Sequence, residues 1–584
     1  MSRYLITSAH ESAWKFDRPV LFLGEWCRLY DRKSLWSEMD AIVATPYGMG
    51  DGQKARDFAY IQSIVGQLLP ELAAALNAFH HTRHSQRYWH IVLGSWLYRY
   101  VRVVFNRYHT LEQALSLYEV NGTTVFESGG YSLATTDSLS FTVACHDDLW
   151  NHVLYSKILE YWGNVETELV SGPLQGVSGY VAELPGNARK NIKSLALKVV
   201  AKLGQRLCRR HDAFIINSYL SRKEEMKLQL SLGQFPQLWR RPRLEAVASN
   251  ADLRRQFGLQ CDNHQGFEHF VRTQLGEMLP SCFLEGYGQL VEFSQDMPWP
   301  SEPRFVYTSN NFDSDEVFKV WVGGKVERGI PYFAGQHGNN YGALLGSDTW
   351  PELVTSDRFF TWGWSNDDPR IVPAFVFKTA GQKRQGYDSN GGLLLIELHP
   401  APRLGPEDDY FDFCIYQEEQ FRFTGSLPHD ISQQLTVRLH SYYKCFHWFD
   451  EQRWKDFNPH TRLETGTVDI RKLIEQSRLI VHSYDSTGIL ETLSQNIPTL
   501  CFWHGGLDHL LPSAKPYYEL LRSAGILADT PEQAAKLVAL HWNSIDEWWL
   551  SNKVQDARME FCEHFARTVK NPVRTLKHLL TTYE

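Results

Sequence analysis

Residues 478–503 read RLIVHSYDSTGILETLSQNIPTLCFW. An apolar run ends at His482, a polar turn Ser483-Tyr484-Asp485 follows, and Ser486-Thr487-Gly488 opens a helical pattern that runs to Gln495. A second apolar run, Thr499–Trp503, comes after it. Short apolar runs of this kind are strands buried on both faces, so the stretch is a strand–helix–strand unit of a parallel sheet. The same rhythm extends in both directions. Strands are expected at Leu393–Leu398 and Leu435–Leu439, and helices near Glu418–Phe423, over Asp469–Gln476 and over Ser513–Ser523. Such alternation implies a doubly wound α/β sheet with ligands at the carboxyl ends of its strands.

Further upstream, AGQKRQGYDSNGG at residues 380–392 is rich in Gly and polar side chains, and it marks a domain boundary. Before it, strands are expected at Tyr4–Thr7, Val20–Gly24, Ala41–Ala44, Arg304–Thr308, Pro331–Ala334 and Arg358–Trp362. Helices are expected over Lys54–Phe79, Ser85–Phe105 and Asp315–Val326. The span from about 150 to 290 reads as a largely helical insertion. The expected fold is therefore α/β and GT-B-like. An N-terminal acceptor-side domain (1–379) carries the helical elaboration, and a C-terminal Rossmann-like nucleotide-sugar-binding domain (380–584) faces it across a cleft.

The chain has 584 residues, of which 43% are hydrophobic and 22% charged, with a formal net charge of −8. This composition excludes disorder and a disulfide-dense scaffold, and the charge argues against a nucleic-acid binder. Nine scattered cysteines with no C-x-x-C pair imply reduced thiols and no cysteine-based zinc site. With no signal-peptide pattern and no apolar run long enough to span a bilayer, a cytoplasmic protein is expected. Residues 188–210 carry eight basic side chains and no acid on an amphipathic pattern. That segment suits peripheral contact with the inner membrane or with an anionic lipid-linked glycan, or equally a solvated face.

Four groups of residues have the chemistry of a site. Ser486 and Thr487, at a helix start after His482 and Ser483, suit a phosphate, and Glu491 suits a ribose. GQHGNNYG at 335–342 follows a strand, so Gln336 and Gly338 lie in a tight turn and His337 offers a proton donor or cation. Arg438 ends another strand, where it can hold a phosphate or a sugar carboxylate. Acidic candidates near a reacting centre are Glu25, Asp147, Asp148, Asp313 and Asp315. Glu25, Asp148 and Asp315 are carried forward beside His337 as the catalytic set. His146, Asp148 and His152 match no specific metal spacing, so no metal site is expected.

Several segments in order resemble a family of bacterial transferases encoded with surface-polysaccharide and lipopolysaccharide genes. They are YLITSAHESAW (4–14), PVLFLGEWCRLY (19–30), LLPELAAALN (68–77), HSQRYWHIVLGSWL (84–97), NHVLYSKIL (151–159), GQHGNNYG, LTVRL (435–439), 477–503, PYYELLRSAGIL (516–527), DEWW (546–549) and FCEHFART (561–568). The QHG turn and the segment carrying Ser486, Thr487 and Glu491 also resemble retaining β-Kdo transferases and related capsule glycosyltransferases. That resemblance implies a CMP-activated donor such as Kdo or pseudaminic acid, a surface-glycan acceptor and no required cofactor. It also implies His337 near the donor phosphate and an N-terminal carboxylate facing the anomeric carbon. Residues 440–448 depart from the pattern, which leads one to expect a proline and a glycine after the strand. Other readings are a UDP-sugar transferase, a nucleotide-sugar epimerase, or a non-catalytic glycan-binding assembly protein.

Overall fold

The computed structural model describes residues 2–127, 129–175, 177–181, 207–259, 265–398, 413–440 and 449–582. Most of the basic segment 188–210 lies outside the described residues, as do residues 441–448. Sixteen described strands form three sheets in which every strand pair is parallel.

The first sheet has the order β3-β2-β1-β4-β5, with β1 Arg3–Ile6, β2 Val20–Phe22, β3 Ala41–Val43, β4 Val120–Phe126 and β5 Thr167–Val170. The second has the order β10-β9-β8-β7-β6, with β6 Phe214–Ile216, β7 Val306–Thr308, β8 Tyr332–Gly335, β9 Arg358–Thr361 and β10 Ile371–Pro373. The third has the order β13-β12-β11-β14-β15-β16, with β11 Gly392–Ile396, β12 Leu435–Arg438, β13 Arg462–Glu464, β14 Ser477–His482, β15 Thr499–Phe502 and β16 Leu527–Ala528. In the third sheet the chain winds outward from β11 in both directions, so its switch point lies between β11 and β14.

The α/β class and the parallel sheets follow the sequence patterns. Residues 1–379, expected as one α/β domain, hold the first two sheets. The span 150–290, expected to be largely helical, also contributes an edge strand to each of those sheets, β5 and β6.

One large core runs through all three sheets, and a second, small cluster of Leu394, Ile474, Ile480 and Ile497 packs in the third. Helix Gln86–Leu117 is 32 residues long and largely buried on all sides. It packs on helix Gln53–His80 and on helices Glu316–Val326 and Pro351–Thr355 beside the second sheet. A helix buried on every side must be surrounded, and this one packs on helices of both the first and second sheets. The chain's last helices return to the second sheet. Arg567 N–H donates to Trp362 O (2.8 Å) and Val376 N–H donates to Arg567 O (2.9 Å). Gly363 (φ +138°) allows this approach, since a Cβ there would sit 2.5 Å from Glu563 O.

Trp26, Trp89 and Trp503, from the aromatic motifs of the sequence, are core groups. Trp89 and Trp503 are buried, and Trp26 is half-buried and stacked on Tyr155. Among the described residues no two cysteines are joined in a disulfide. Among the described residues no helix is long and apolar enough to cross a membrane.

Candidate functional site

A cavity of about 350 Å³ opens where the carboxyl ends of β7 and β8 meet the start of helix Thr487–Gln495, which follows β14. Each strand hands the chain to a loop there, which is where parallel sheets place ligands. Asn310 follows β7 and leads into the short helix Asn311–Ser314, which carries Phe312 and Asp313, while His337–Tyr341 come from the loop after β8. Ser95, Tyr98 and Arg99 reach in from helix Gln86–Leu117, and Thr487 and Lys378 complete the wall.

The loop after β8 is held against the third sheet at several points. Asn339 N–H donates to Thr487 Oγ1 (3.0 Å), and Asn339 Nδ2 donates to Asp485 Oδ1 (2.7 Å). Asp485 also accepts from the Tyr518 hydroxyl (3.0 Å) and pairs with His509 (3.1 Å). Leu345 N–H donates to His509 O (2.9 Å), and Leu511 N–H donates to Ala343 O (2.7 Å). Gly338 fits this junction for a steric reason, because a Cβ there would lie 2.9 Å from Thr487 Oγ1.

Charge inside the cavity is arranged in two groups. Arg99 pairs with Asp313 at 2.5 Å. Burial pushes the Asp313 carboxyl up, but Arg99, with Lys319 and His337, outweighs burial and holds it below its ordinary range. Opposite, Tyr341 donates to Glu352 (2.5 Å), and its hydroxyl lies 3.0 Å from His337 Nδ1. Burial pushes the Glu352 carboxyl up to about 7 despite the Tyr341 bond. A carboxylate, a phenol and an imidazole in series form a path along which a proton can be held or moved at His337. Lys378 lies 3.2 Å from Glu491 and over the Tyr219 ring.

The expected site residues divide between this cavity and elsewhere. His337, Gly338 and Thr487 line it, and Glu491 reaches it through Lys378. Gln336 faces inward, accepting from Trp362 N–H (2.8 Å) and Trp364 Nε1 (2.9 Å), and so braces the loop. His482 is buried behind the helix start, where burial pulls its imidazole down to about 3 and keeps it neutral. The Ser486 hydroxyl lies 3.3 Å from that ring, and Ser483 Oγ lies 2.8 Å from the Tyr416 hydroxyl. Arg438 is not brought to the cavity. It pairs with Glu464 at 2.9 Å, and Glu464 also caps the backbone of Gly466, Thr467 and Val468.

The three expected carboxylates also lie in local structure. Asp148 accepts from Ser8 Oγ (2.6 Å) and Ala9 N–H (3.1 Å), anchoring the loop after β1. Glu25 holds Arg28 in a two-point pair of 2.6 and 2.9 Å. Asp315 caps helix Glu316–Val326 through Phe318 N–H (3.1 Å), and burial lifts its carboxyl to about 6. The sequence pattern does not mark out Arg99, Glu352, Tyr341 or Lys378, whereas Asp313 is one of its acidic candidates. Among the described residues no group of three His, Cys, Asp or Glu is placed to hold a metal.

A family model described as "LIC12162 family transferase" matches residues 3–580. No curated protein matches the chain. Among solved structures, MurG of Acinetobacter baumannii aligns at 11% identity and a TM-score of 0.30, covering 66% of this chain and 95% of that one. The spinosyn rhamnosyltransferase SpnG, in complex with spinosyn aglycone, aligns at 11% identity and a TM-score of 0.28, covering 78% of this chain and all of the other. Likeness at these scores supports no function.

Proposed function

Since the chain belongs to the LIC12162 family of transferases, we propose that it is a glycosyltransferase. It moves a nonulosonic or Kdo-type sugar from a CMP-activated donor to a bacterial surface-glycan acceptor. One observation carries this reading: the cavity at the strand ends of the second sheet is closed by the helix start of the third, with His337, Lys378 and Asp313 all on its wall. The helix start and Lys378 supply positive potential for a donor phosphate. His337, oriented by Tyr341, stabilises that phosphate as it departs. Asp313, kept ionised by Arg99, faces the positive charge that develops at the anomeric carbon. The CMP-activated donor and glycan acceptor rest on the sequence resemblance, and the cavity's charges are compatible with them.

The test is nucleotide release from a panel of CMP-Kdo, CMP-pseudaminic acid, UDP-sugars and GDP-sugars with a glycan acceptor. CMP release is expected, falling at least about 100-fold in His337→Ala and Asp313→Asn. Release of UDP alone would replace the donor in this reading. No release from any donor, together with glycan binding, would point to an assembly protein.

A further inference from the structure

A second cavity, of about 360 Å³, lies at the carboxyl end of β6 and shares Tyr219 with the first. Arg222, Arg240 and Arg241 line it together with Trp239 and Glu225. Arg241 is anchored at the rim by Ser314, through its hydroxyl (3.3 Å) and its carbonyl. Neither Arg222 nor Arg240 has a carboxylate at ion-pair distance among the described residues. Glu225, the one acid on this wall, accepts from the Ser218 hydroxyl, and burial raises its carboxyl above the ordinary range. The loop that forms the floor bends sharply: Asn217 and Tyr219 both adopt positive φ, +50° and +61°. A bulky residue held in that region is costly unless the surroundings enforce it, and such positions gather at ligand sites.

We infer that this second cavity binds a phosphoryl group of the acceptor, with the sugar to be extended lying over Tyr219 toward His337. The inference rests on the glycosyltransferase reading above. The wall carries three solvent-exposed arginines against a single acid, more positive charge than a single carboxylate ligand needs and suited to a phosphate or diphosphate. Every lining residue comes from residues 216–241 or is Asn311, and none comes from the third sheet. The group bound here therefore belongs to the acceptor and not to the donor placed at the Thr487 helix. Tyr219 is the link between the two, with its ring centroid 5.9 Å from that of His337.

Calorimetric titration of the full chain with inorganic pyrophosphate tests the assignment. Arg222→Ala/Arg240→Ala should weaken binding by at least about 30-fold, as two charge-assisted contacts are lost, while His337→Ala should change it less than about twofold. Equal affinity in the double arginine variant and the wild type overturns the inference. So does a loss confined to His337→Ala, which would place pyrophosphate in the first cavity. Displacement of bound pyrophosphate by geranyl diphosphate supports a lipid-linked acceptor, and displacement by glucose 1-phosphate supports a phosphorylated sugar. Displacement by neither overturns the acceptor assignment. CMP titration separates the two readings: failure of CMP to bind the wild type removes the donor site, whereas a wild type that binds CMP but not pyrophosphate removes this inference alone.

Discussion

Glu352 is buried, and among the described residues its carboxyl takes a hydrogen bond from the Tyr341 hydroxyl. Its carboxyl is raised to about 7 by burial, so the folded protein takes up a proton there that the unfolded chain has already released. The folded state binds more protons than the unfolded state between about pH 4.5 and 7, so the stability contributed falls as pH rises through that window. The loss amounts to at most about 3 kcal/mol. Glu352→Gln, which keeps an oxygen acceptor for Tyr341, should flatten this slope, checked by melting temperature against pH; an unchanged slope would place the titrating group elsewhere. Arg438 carries the opposite lesson. It belongs to a largely buried pair with Glu464, so Arg438→Ala should cost about 3 kcal/mol of stability and leave CMP affinity unchanged. A selective loss of CMP affinity at wild-type stability would return Arg438 to the donor site.

At the scale of elements, the turn after β8 and the helix after β14 meet closely enough to be tested as one unit. Gly338→Ala places a Cβ 2.9 Å from Thr487 Oγ1 and should cost about 1 kcal/mol or more. With Thr487→Ala in the same chain the clash is gone, so the double variant should lose less stability than the sum of the two single variants. Strict additivity in a thermal unfolding series would mean that the two elements do not touch in solution. Both elements were legible in sequence, because one is a Gly-rich turn after an apolar run and the other a Ser-Thr-Gly helix start. Strands β11, β12, β14 and β15 were legible for a similar reason: each centres on buried apolar residues, Leu393–Leu395, Leu435 and Val437, Leu479–Val481, and Leu500–Phe502. β5 and β6 were not. Thr167–Val170 is an exposed edge strand, and Phe214–Ile216 has only three residues, too few to show a period. Arg99 was invisible because its partner Asp313 lies 214 residues away, in the short helix after β7.

The whole molecule brings three parallel sheets around one large core, and the cavity draws its wall from all three parts of the chain. Helix Gln86–Leu117 delivers Arg99, the second sheet delivers His337 and Asp313, and the third delivers Thr487. The pattern of strands and helices implied two α/β halves facing a cleft. The loop after β8 and the third sheet are hydrogen-bonded to each other at the wall of the cavity through Asn339, Asp485, His509 and Tyr518. The −8 net charge is compatible with this arrangement, because the cations that matter are local. The most direct measurement is a crystal structure of the full chain with CMP. The account predicts the phosphate beside the start of helix Thr487–Gln495, within reach of His337 and Lys378. CMP bound at Arg438, at the arginine-lined cavity, or anywhere outside the wall formed by Asp313, His337 and Thr487 would contradict it.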